Sequence, residues 1–272
     1  MAYLGGKARG VDYIIKTLNN PLFNDMDYIE PFCGYCHILR RVKNKKSYTA
    51  SDNNELLMVL LKHIQKHKGK HEDITFEDYQ RHRSNPLSGN KLRSAYAAFT
   101  YSYNGKYFDG YIGDVEGRDY PKERKKYYDK LHNNDTFQKT ELKHGDYTMY
   151  MDVKDSLIYC DPPYQDTTEY HSSFDSSEFW KNMRELSKDN IVFISEYNAP
   201  TDFVCISSNM RNTTMRGKGA TKKNEDKLFI HKSLLTHPLI KKMKRVSRRN
   251  NRYRYTRKKG GRGYNPPTRH KD

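Results

Sequence analysis

Short apolar strands alternate with helices along much of this chain, and this alternation limits the folds open to it. The first 70 residues predict helix, strand, loop, helix, strand and helix, from "VDYIIKTL" (11–18) to "NNELLMVLLKHIQKH" (53–67). The pattern resumes with a strand in "DSLIYCD" (155–161) and a helix over 176–189 that Ser176 or Ser177 caps. An apolar strand over 190–197 and a further strand over 227–232 follow. Strand–helix–strand order favours parallel βαβ units. We therefore predict an α/β fold.

The composition is that of a polar globular protein. The 272 residues are 35% hydrophobic and 31% charged, and no stretch approaches the roughly 20 apolar residues of a membrane span. "MAYLGGKARG" lacks the apolar core of a secretory signal, and four cysteines in this length are not a disulfide framework. We expect a reducing compartment, hence the cytoplasm, or the nucleus if "KKMKRVSRR" acts as an address in a eukaryotic host.

Positive charge is concentrated at one end of the chain. The net charge is +17, and residues 241–272 contain 14 Lys and Arg and one acid. A strongly basic chain is typical of nucleic-acid binding, although a basic tail is more often a non-specific tether. The low-complexity composition after residue 237 predicts disorder.

Residues 71–140 differ in character from the α/β segments around them. They are dense in Tyr, Lys, Arg, Asn and Gly, as expected where bases stack and phosphates are paired. Tyrosine-rich surface loops have the same composition. We predict a catalytic domain over 1–70 and 141–236, a small insert over 71–140 and a basic tail over 237–272.

The stretch "SLIYCDPPYQ" (156–165) predicts a buried strand with a stiff end. Pro162 and Pro163 cannot continue a sheet ladder, so Asp161 and Tyr164 are expected to project from the carboxyl end of the strand. Ligands bind at that end of open α/β sheets. The alternative is a rigid turn that ends the strand and has no catalytic or binding role.

A second strand end lies in "YIEPFCGYC" (28–36). Gly34 would let a ligand approach the backbone closely, and Glu30 supplies an acid. The same residues form a C-x-x-C pair, Cys33 and Cys36, in the context of a thioredoxin-like redox site. Cys160 and Cys205 form no second close pair, so we predict no metal site.

The next strand end, "TASDNN" (49–54), carries Asp52. An acid after the second strand of a nucleoside-binding α/β fold accepts hydrogen bonds from ribose hydroxyls. A helix N-cap at Asp52 or Asn53 is the alternative, and both roles can coexist. "YLGGK" (3–7) lacks the Walker A spacing and is too short to interpret alone.

Taken in order, "YLGGK", "EPFCGYC", "ASDNN" and "CDPPY" resemble the Dam-type family of DNA adenine N6-methyltransferases. The resemblance covers roughly residues 1–235, and "GKYFDGYIG", "HGDY" and "FISEYNAPTDF" look like phage-type versions. Cys36 stands where the family's second glycine is usual, and a side chain there would narrow the methionine end of the pocket. The resemblance implies a Rossmann-like sheet that binds S-adenosylmethionine, and it makes the redox hypothesis less favourable.

The resemblance also implies roles for individual residues. Asp161 and the Pro162 carbonyl would accept hydrogen bonds from the target amino group, with Pro163 stiffening the turn. Tyr164 would stack on a base flipped out of the duplex, and Tyr170 and Phe174 would close over it. The implied cofactor-binding residues are Tyr3, Gly6, Lys7, Glu30, Pro31, Phe32, Gly34, Asp52, Asp146 and Asp161.

Double-stranded DNA is the implied partner, contacted by Asn104, Lys106, Arg118 and Arg124 of the insert. Three alternatives stay open at this point: N4-cytosine methylation, RNA adenine methylation, and a DNA-binding relative without activity. The recognition sequence, a cognate nuclease, the host and the oligomeric state cannot be deduced.

Overall fold

The computed structural model describes residues 10–115, 117–163, 174–214 and 221–245. Its main feature is a seven-stranded sheet with the order β5-β2-β1-β6-β7-β9-β8. The described strands are β1 (Asp27–Glu30), β2 (Ser47–Asp52), β3 (Asp114–Val115), β4 (Arg118–Asp119), β5 (Glu141–His144), β6 (Ser156–Cys160), β7 (Ile191–Glu196), β8 (Phe203–Thr214) and β9 (Thr221–His231). The first five strands of the sheet are parallel, and β9 joins antiparallel to β7. This is an α/β Rossmann-like sheet, as predicted.

Helices connect the parallel strands. They are α1 (Asp12–Leu18), α2 (Glu55–Lys66), α3 (Phe76–Ser84), α4 (Lys91–Ala95), α5 (Tyr120–His132), α6 (Asp135–Gln138) and α7 (Ser176–Asp189). Asp175 caps α7 by accepting from the backbone N–H groups of Ser177 and Glu178, at 2.8 and 3.0 Å. The predicted cap at Ser176 or Ser177 is therefore wrong by one or two residues. The aspartate carboxylate supplies the acceptor at that helix start.

Apolar layers cover both faces of the sheet. Every residue of β6 and β7 is buried, which explains why these strands read as continuous apolar runs rather than as alternating patterns. On one face Ile158 and Ile194 join a cluster with Phe179 of α7. Phe193 points the other way and meets Phe23, with ring centroids 5.9 Å apart.

An antiparallel hairpin forms one edge of the sheet. The sequence predicted a short strand over 227–232, and β9 extends far N-terminal to it, paired along its length with β8. The polar run "SSNMRNTT" within β8 lacks apolar alternation, so sequence patterning did not identify it. The ladder contains a register shift between Cys205 and Ser207, which bends the strand locally.

Residues 71–140 contain α3 to α6 and lie within the same compact unit, 1–233, as the sheet. Polar side chains connect this segment to its surroundings. Gln65 of α2 donates to the carbonyl oxygens of Phe137 and Thr140, at 2.7 and 2.9 Å. The predicted role of this segment in target recognition stays a prediction.

A second unit comprises residues 234–272. A helix occupies 238–245, within the segment predicted to be disordered. Ile240 and Met243 are buried and recur three residues apart, the spacing of one helical face. The basic composition concealed this short apolar pattern, so the predicted disorder is wrong for residues 238–245.

Candidate functional site

The sheet reverses its strand order at β1, which lies between β2 and β6. Ile29 pairs with Ile158 in the parallel ladder, so Glu30 at the end of β1 and Asp161 just after β6 meet at one edge. Ligands bind at such a switch point, outside the carboxyl ends of the strands. The structure brings "EPFCG" and "CDPP" together there.

The loop after β1 folds back towards the end of β2. Gly34 and Cys36 adopt φ angles of 47° and 57°, in the left-handed region that favours glycine. The N–H of Cys33 donates to the carbonyl oxygen of Ser51 at 2.9 Å. Cys36 is fully buried. It stands where the resembled family usually has a glycine, and its backbone keeps a conformation that glycine adopts without strain and that other residues adopt less readily.

Asp52 ends β2 and organises this turn. Its Oδ2 accepts from the Gly34 N–H at 3.1 Å, and its Oδ1 accepts from the Asn54 N–H at 3.0 Å. Burial raises the pKa of Asp52. Each carboxylate oxygen has a second lone-pair direction, so the group can still accept from a diol. The cap of α2 is Asn54, which accepts from the Leu57 N–H at 3.0 Å, so the predicted cap at Asp52 or Asn53 was wrong.

Glu30 is a deeply buried acid, with 2% of its surface exposed. The Tyr28 hydroxyl donates to its Oε2 at 2.6 Å. Burial raises the pKa of Glu30 to about 8, and the nearby charge of Asp161 acts in the same direction. At neutral pH the carboxyl of Glu30 is therefore mostly protonated.

Aromatic side chains form a wall beside the strand ends. Phe32 stacks on Tyr147, with ring centroids 5.5 Å apart and planes 27° apart. Phe174 packs edge-on against Phe32 at 6.1 Å, so it lies beside the predicted site. Asp146 is exposed and starts the 3₁₀ helix Tyr147–Tyr150 by accepting from the Thr148 N–H at 2.9 Å. Tyr147 was not predicted, and the only sequence signal was an aromatic residue directly after that capping aspartate.

The diproline turn leaves β6 as expected. Pro162 is buried, whereas Asp161 and Pro163 are half-buried. Below them, the Tyr159 hydroxyl and Ser195 Oγ are hydrogen-bonded at 2.8 Å within the core, which fixes the strand end. Tyr3, Gly6, Lys7, Tyr164 and Tyr170 lie outside the described residues, so their predicted roles stay predictions.

The two loop cysteines do not have the properties of a redox pair. Cys33 and Cys36 are free thiols and both are buried. A hydrogen bond with Cys36, together with burial, raises the pKa of Cys33 well above its usual value. A reactive thiol needs the opposite shift, towards the thiolate. The redox alternative is therefore not supported.

The four predicted DNA contacts lie in different environments. Asn104 is exposed, in a turn with φ of 53°, and Lys106 pairs with Asp109 at 3.6 Å. Arg118 is exposed and pairs with Glu123 at 2.9 Å. Arg124 is only 5% exposed and donates to the carbonyl oxygen of Thr100. This burial argues against a DNA contact by Arg124, because its guanidinium is held inside the protein.

The described residues contain no group of three or more His, Cys, Asp or Glu that could hold a metal ion. None of the helices in the described ranges combines the length and the apolar character that a membrane crossing requires. The donor set at the strand ends fits an organic cofactor with a ribose and a cationic group: Asp52 can accept from a diol, and Glu30 and Asp161 supply carboxyl groups.

Comparison with known families gives a match over residues 3–111 to the D12 class of N6 adenine-specific DNA methyltransferases. This match confirms the predicted resemblance and supports a methyltransferase that uses S-adenosylmethionine. It spans the first strand end and Asp52, and it ends before Asp161. A search of curated protein sequences gave no match.

Several solved structures are similar to this chain at low identity. An rRNA methyltransferase, AviRa, from Streptomyces viridochromogenes is 11% identical, over 87% of this chain and 90% of that chain, with a TM-score of 0.39. Magnesium protoporphyrin IX methyltransferase from Synechocystis, with bound SAM, is 10% identical over 81% and 77%, with a TM-score of 0.33. The fold assignment rests on the strand order of this chain and not on these similarities.

Proposed function

We propose that this protein transfers a methyl group from S-adenosylmethionine to the N6 amino group of adenine in double-stranded DNA. The observation that carries the proposal is the meeting of Glu30, Asp52 and Asp161 at the carboxyl ends of three adjacent parallel strands. The family match over 3–111 supports the same reaction.

The cofactor lies, in this proposal, across the ends of β1 and β2. Asp52 would accept hydrogen bonds from the ribose hydroxyls, and the loop from Glu30 to Gly34 would hold the methionine end. Phe32 adds an aromatic surface, and Asp146 is exposed at the adjacent strand end, where it can contact the adenine side. When bound, S-adenosylmethionine supplies an electrophilic methyl group on a positively charged sulfur.

Asp161 activates the target amino group. The lone pair of an exocyclic adenine nitrogen is delocalised into the ring, so the nitrogen is a poor nucleophile. Acceptors at Asp161 and at the Pro162 carbonyl bond the amino hydrogens and favour a nitrogen with its lone pair available. Pro163 keeps the turn rigid, and alignment of the reacting atoms can contribute about 7–11 kcal/mol. The base has to leave the duplex first, and Tyr164 stacks on it.

In this proposal, one amide and two cationic side chains outside the site contact the DNA. Asn104, Lys106 and Arg118 are the proposed contacts within the insert, and Arg124 is not part of this surface. The 14 Lys and Arg of residues 241–272 add an affinity that is independent of sequence and weakens with salt.

The experiment is methyl transfer from labelled S-adenosylmethionine to unmethylated DNA, followed by digestion to nucleosides. We expect label in N6-methyldeoxyadenosine, and a loss of at least about 10²-fold in Asp161→Asn, the scale of removing one transition-state hydrogen bond. Asp152→Asn is the matched control, since Asp152 is exposed and lies just before the same strand.

Other outcomes identify the alternatives. Label in N4-methylcytosine or in RNA would change the substrate and keep the role of Asp161. Equal rates in the Asp161→Asn and Asp152→Asn variants would contradict the mechanism. No label in any nucleic acid, together with no cofactor binding, would leave a DNA-binding relative without activity.

A further inference from the structure

Tyr35 extends from the loop after β1 into the segment 71–140. It lies between Gly34 and Cys36, whose φ angles of 47° and 57° turn the loop on both sides of it. The side chain is 1% exposed. Its hydroxyl donates to the carbonyl oxygen of Gly105 at 3.3 Å, and its ring packs edge-on against Phe99, with centroids 6.0 Å apart. One buried side chain therefore connects the loop to a turn of the segment.

Gly105 lies between two of the proposed DNA contacts. Asn104 precedes it and is exposed, and Lys106 follows it. Asn104 and Gly105 adopt φ angles of 53° and 69°, in a region that most residues adopt poorly. The N–H of Gly105 donates to the carbonyl oxygen of Ser102 at 3.1 Å. Tyr35 thus holds the middle residue of the turn from the side of the loop.

The chain neighbour of Tyr35 belongs to the proposed cofactor site. Gly34 precedes Tyr35, and the Gly34 N–H donates to Asp52 Oδ2 at 3.1 Å. Asp52 is the proposed acceptor for the ribose hydroxyls. One peptide bond and two hydrogen bonds therefore connect the proposed ribose site to the turn that carries Asn104.

Helix α5 fixes the backbone of the same residue. The Tyr127 hydroxyl donates to the carbonyl oxygen of Tyr35 at 2.7 Å and lies 3.1 Å from His37 Nδ1. The segment therefore contacts Tyr35 at both its side chain and its backbone. The loop cannot shift at this residue without disturbing its contacts with α5 and with the turn.

We propose that Tyr35 is a positioning residue that couples the two sites, so that cofactor binding orders the turn around Asn104 for contact with DNA. The inference rests on the proposed function, which supplies both ligands. A ligand that orders one of two connected loops lowers the ordering cost for the ligand of the other, which is positive cooperativity. The coupling factor is the same in both directions, and such factors are typically about 5–150-fold.

The test is equilibrium dialysis of labelled S-adenosylhomocysteine against the full chain, with and without saturating unmethylated duplex DNA of mixed sequence. S-adenosylhomocysteine carries no methyl group to transfer, so the DNA stays unmodified during the measurement. We expect DNA to lower the dissociation constant of S-adenosylhomocysteine roughly tenfold, within the usual range of coupling factors.

Tyr35→Phe isolates the hydroxyl, because it keeps the buried ring. We expect the effect of DNA to fall to about twofold, since one hydrogen bond of ordinary strength corresponds to a factor of about five. Affinity for S-adenosylhomocysteine without DNA should stay near the wild-type value, which a general loosening of the loop would not allow. Tyr96→Phe is the matched control, because it removes the hydroxyl of another fully buried tyrosine of the segment, which donates to the Lys70 carbonyl oxygen at 3.3 Å. It should keep the wild-type coupling.

Hydrogen exchange of the wild type needs no variant and gives a second readout. S-adenosylhomocysteine alone should slow exchange of the backbone amides over 101–106, because the ordered loop holds the Gly105 carbonyl in place. Unchanged exchange over 101–106 at saturating S-adenosylhomocysteine would overturn the inference, even if Tyr35→Phe did not fold.

The results separate this inference from the proposed function. S-adenosylhomocysteine that binds equally well with and without DNA, in a chain that methylates adenine, would overturn the coupling and leave the methyltransferase proposal standing. Coupling that persists in Tyr35→Phe, or that is lost equally in Tyr96→Phe, would overturn the role of Tyr35. Absence of both cofactor binding and methyl transfer would overturn both proposals.

Discussion

The central sheet and the segment 71–140 are held together in different ways. In the sheet, β6 and β7 are buried throughout and pack through apolar side chains such as Ile158 and Ile194. In the segment, apolar and aromatic side chains such as Phe99 and Phe137 are also fully buried, and polar groups add directional contacts: Gln65 bonds to two carbonyl oxygens of the 137–140 region, and buried Arg124 bonds to Thr100. Burial is non-directional, whereas each hydrogen bond needs its partner in place.

The sheet and the segment also have different roles with respect to the proposed site. The strand ends that carry Glu30, Asp52 and Asp161 are positioned by a core that tolerates changes in polar surface groups. The segment adds individual polar contacts to its buried apolar side chains, and it carries exposed polar groups such as Asn104 and Arg118. A rigid sheet edge for chemistry and a polar helical segment for recognition are consistent with the proposed function.

The largest expected effect of shortening one side chain is in the sheet. Ile158→Ala removes a fully buried side chain and should lower the free energy of unfolding by about 3 kcal/mol, since large-to-small changes in a core cost about 2–5 kcal/mol. Urea unfolding of the wild type and the variant measures this change in free energy. Leu87→Ala, at a side chain that is 52% exposed in the segment, is the control and should change the value by less than about 0.5 kcal/mol.

A buried polar contact should come next. Arg124→Ala leaves the Thr100 carbonyl without its donor and should cost about 2 kcal/mol of unfolding free energy. Arg118→Ala, at an exposed guanidinium, should leave stability nearly unchanged and weaken DNA binding, with a shallower salt dependence. If Arg124→Ala folded fully and still lost DNA affinity, the structural role of Arg124 and the DNA-binding role of Arg118 would be contradicted.

The acid at the sheet edge should make stability depend on pH. Folded Glu30 keeps its proton up to a pH of about 8, whereas the unfolded chain loses it near the ordinary pKa of 4.5. Its contribution to stability is therefore fully present below pH 4.5 and is lost as the pH rises to about 8. Relative to Glu30→Gln, the wild type should lose up to about 1.4 kcal/mol per pH unit in this window. If the unfolding free energies of the wild type and of Glu30→Gln changed in parallel with pH, Glu30 would have an ordinary pKa and the prediction would be contradicted.

The smallest effect concerns the turn at Asn104, where φ is 53°. Asn104→Ala should lower the free energy of unfolding by about 1 kcal/mol, because alanine tolerates this conformation poorly, and Asn104→Gly should be nearly neutral. Measuring DNA affinity in the glycine variant then isolates the side-chain contact from the shape of the turn. Unchanged affinity would remove Asn104 from the proposed DNA surface.

Local patterns were sufficient to predict much of the sheet and the place of the site. The sequence segments that end at Glu30, Asp52 and Cys160 each contain an apolar strand pattern followed by residues that end a strand. The carboxyl ends of parallel strands lie at one edge of a sheet. Sequence patterning did not reveal β8, whose residues lack apolar alternation, or the helix over 238–245, which lies in a basic run. It also misjudged Arg124, because burial of a cation depends on a carbonyl 24 residues away that no local pattern reveals.

The most direct test of the central claim is a crystal structure with S-adenosylhomocysteine bound. We expect the ligand at the ends of β1, β2 and β6, with both ribose hydroxyls within about 2.7–3.2 Å of the Asp52 carboxylate. The methionine end should then lie beside Glu30, and the sulfur should face Asp161. A ligand bound elsewhere, or a ribose without contact to Asp52, would contradict the account.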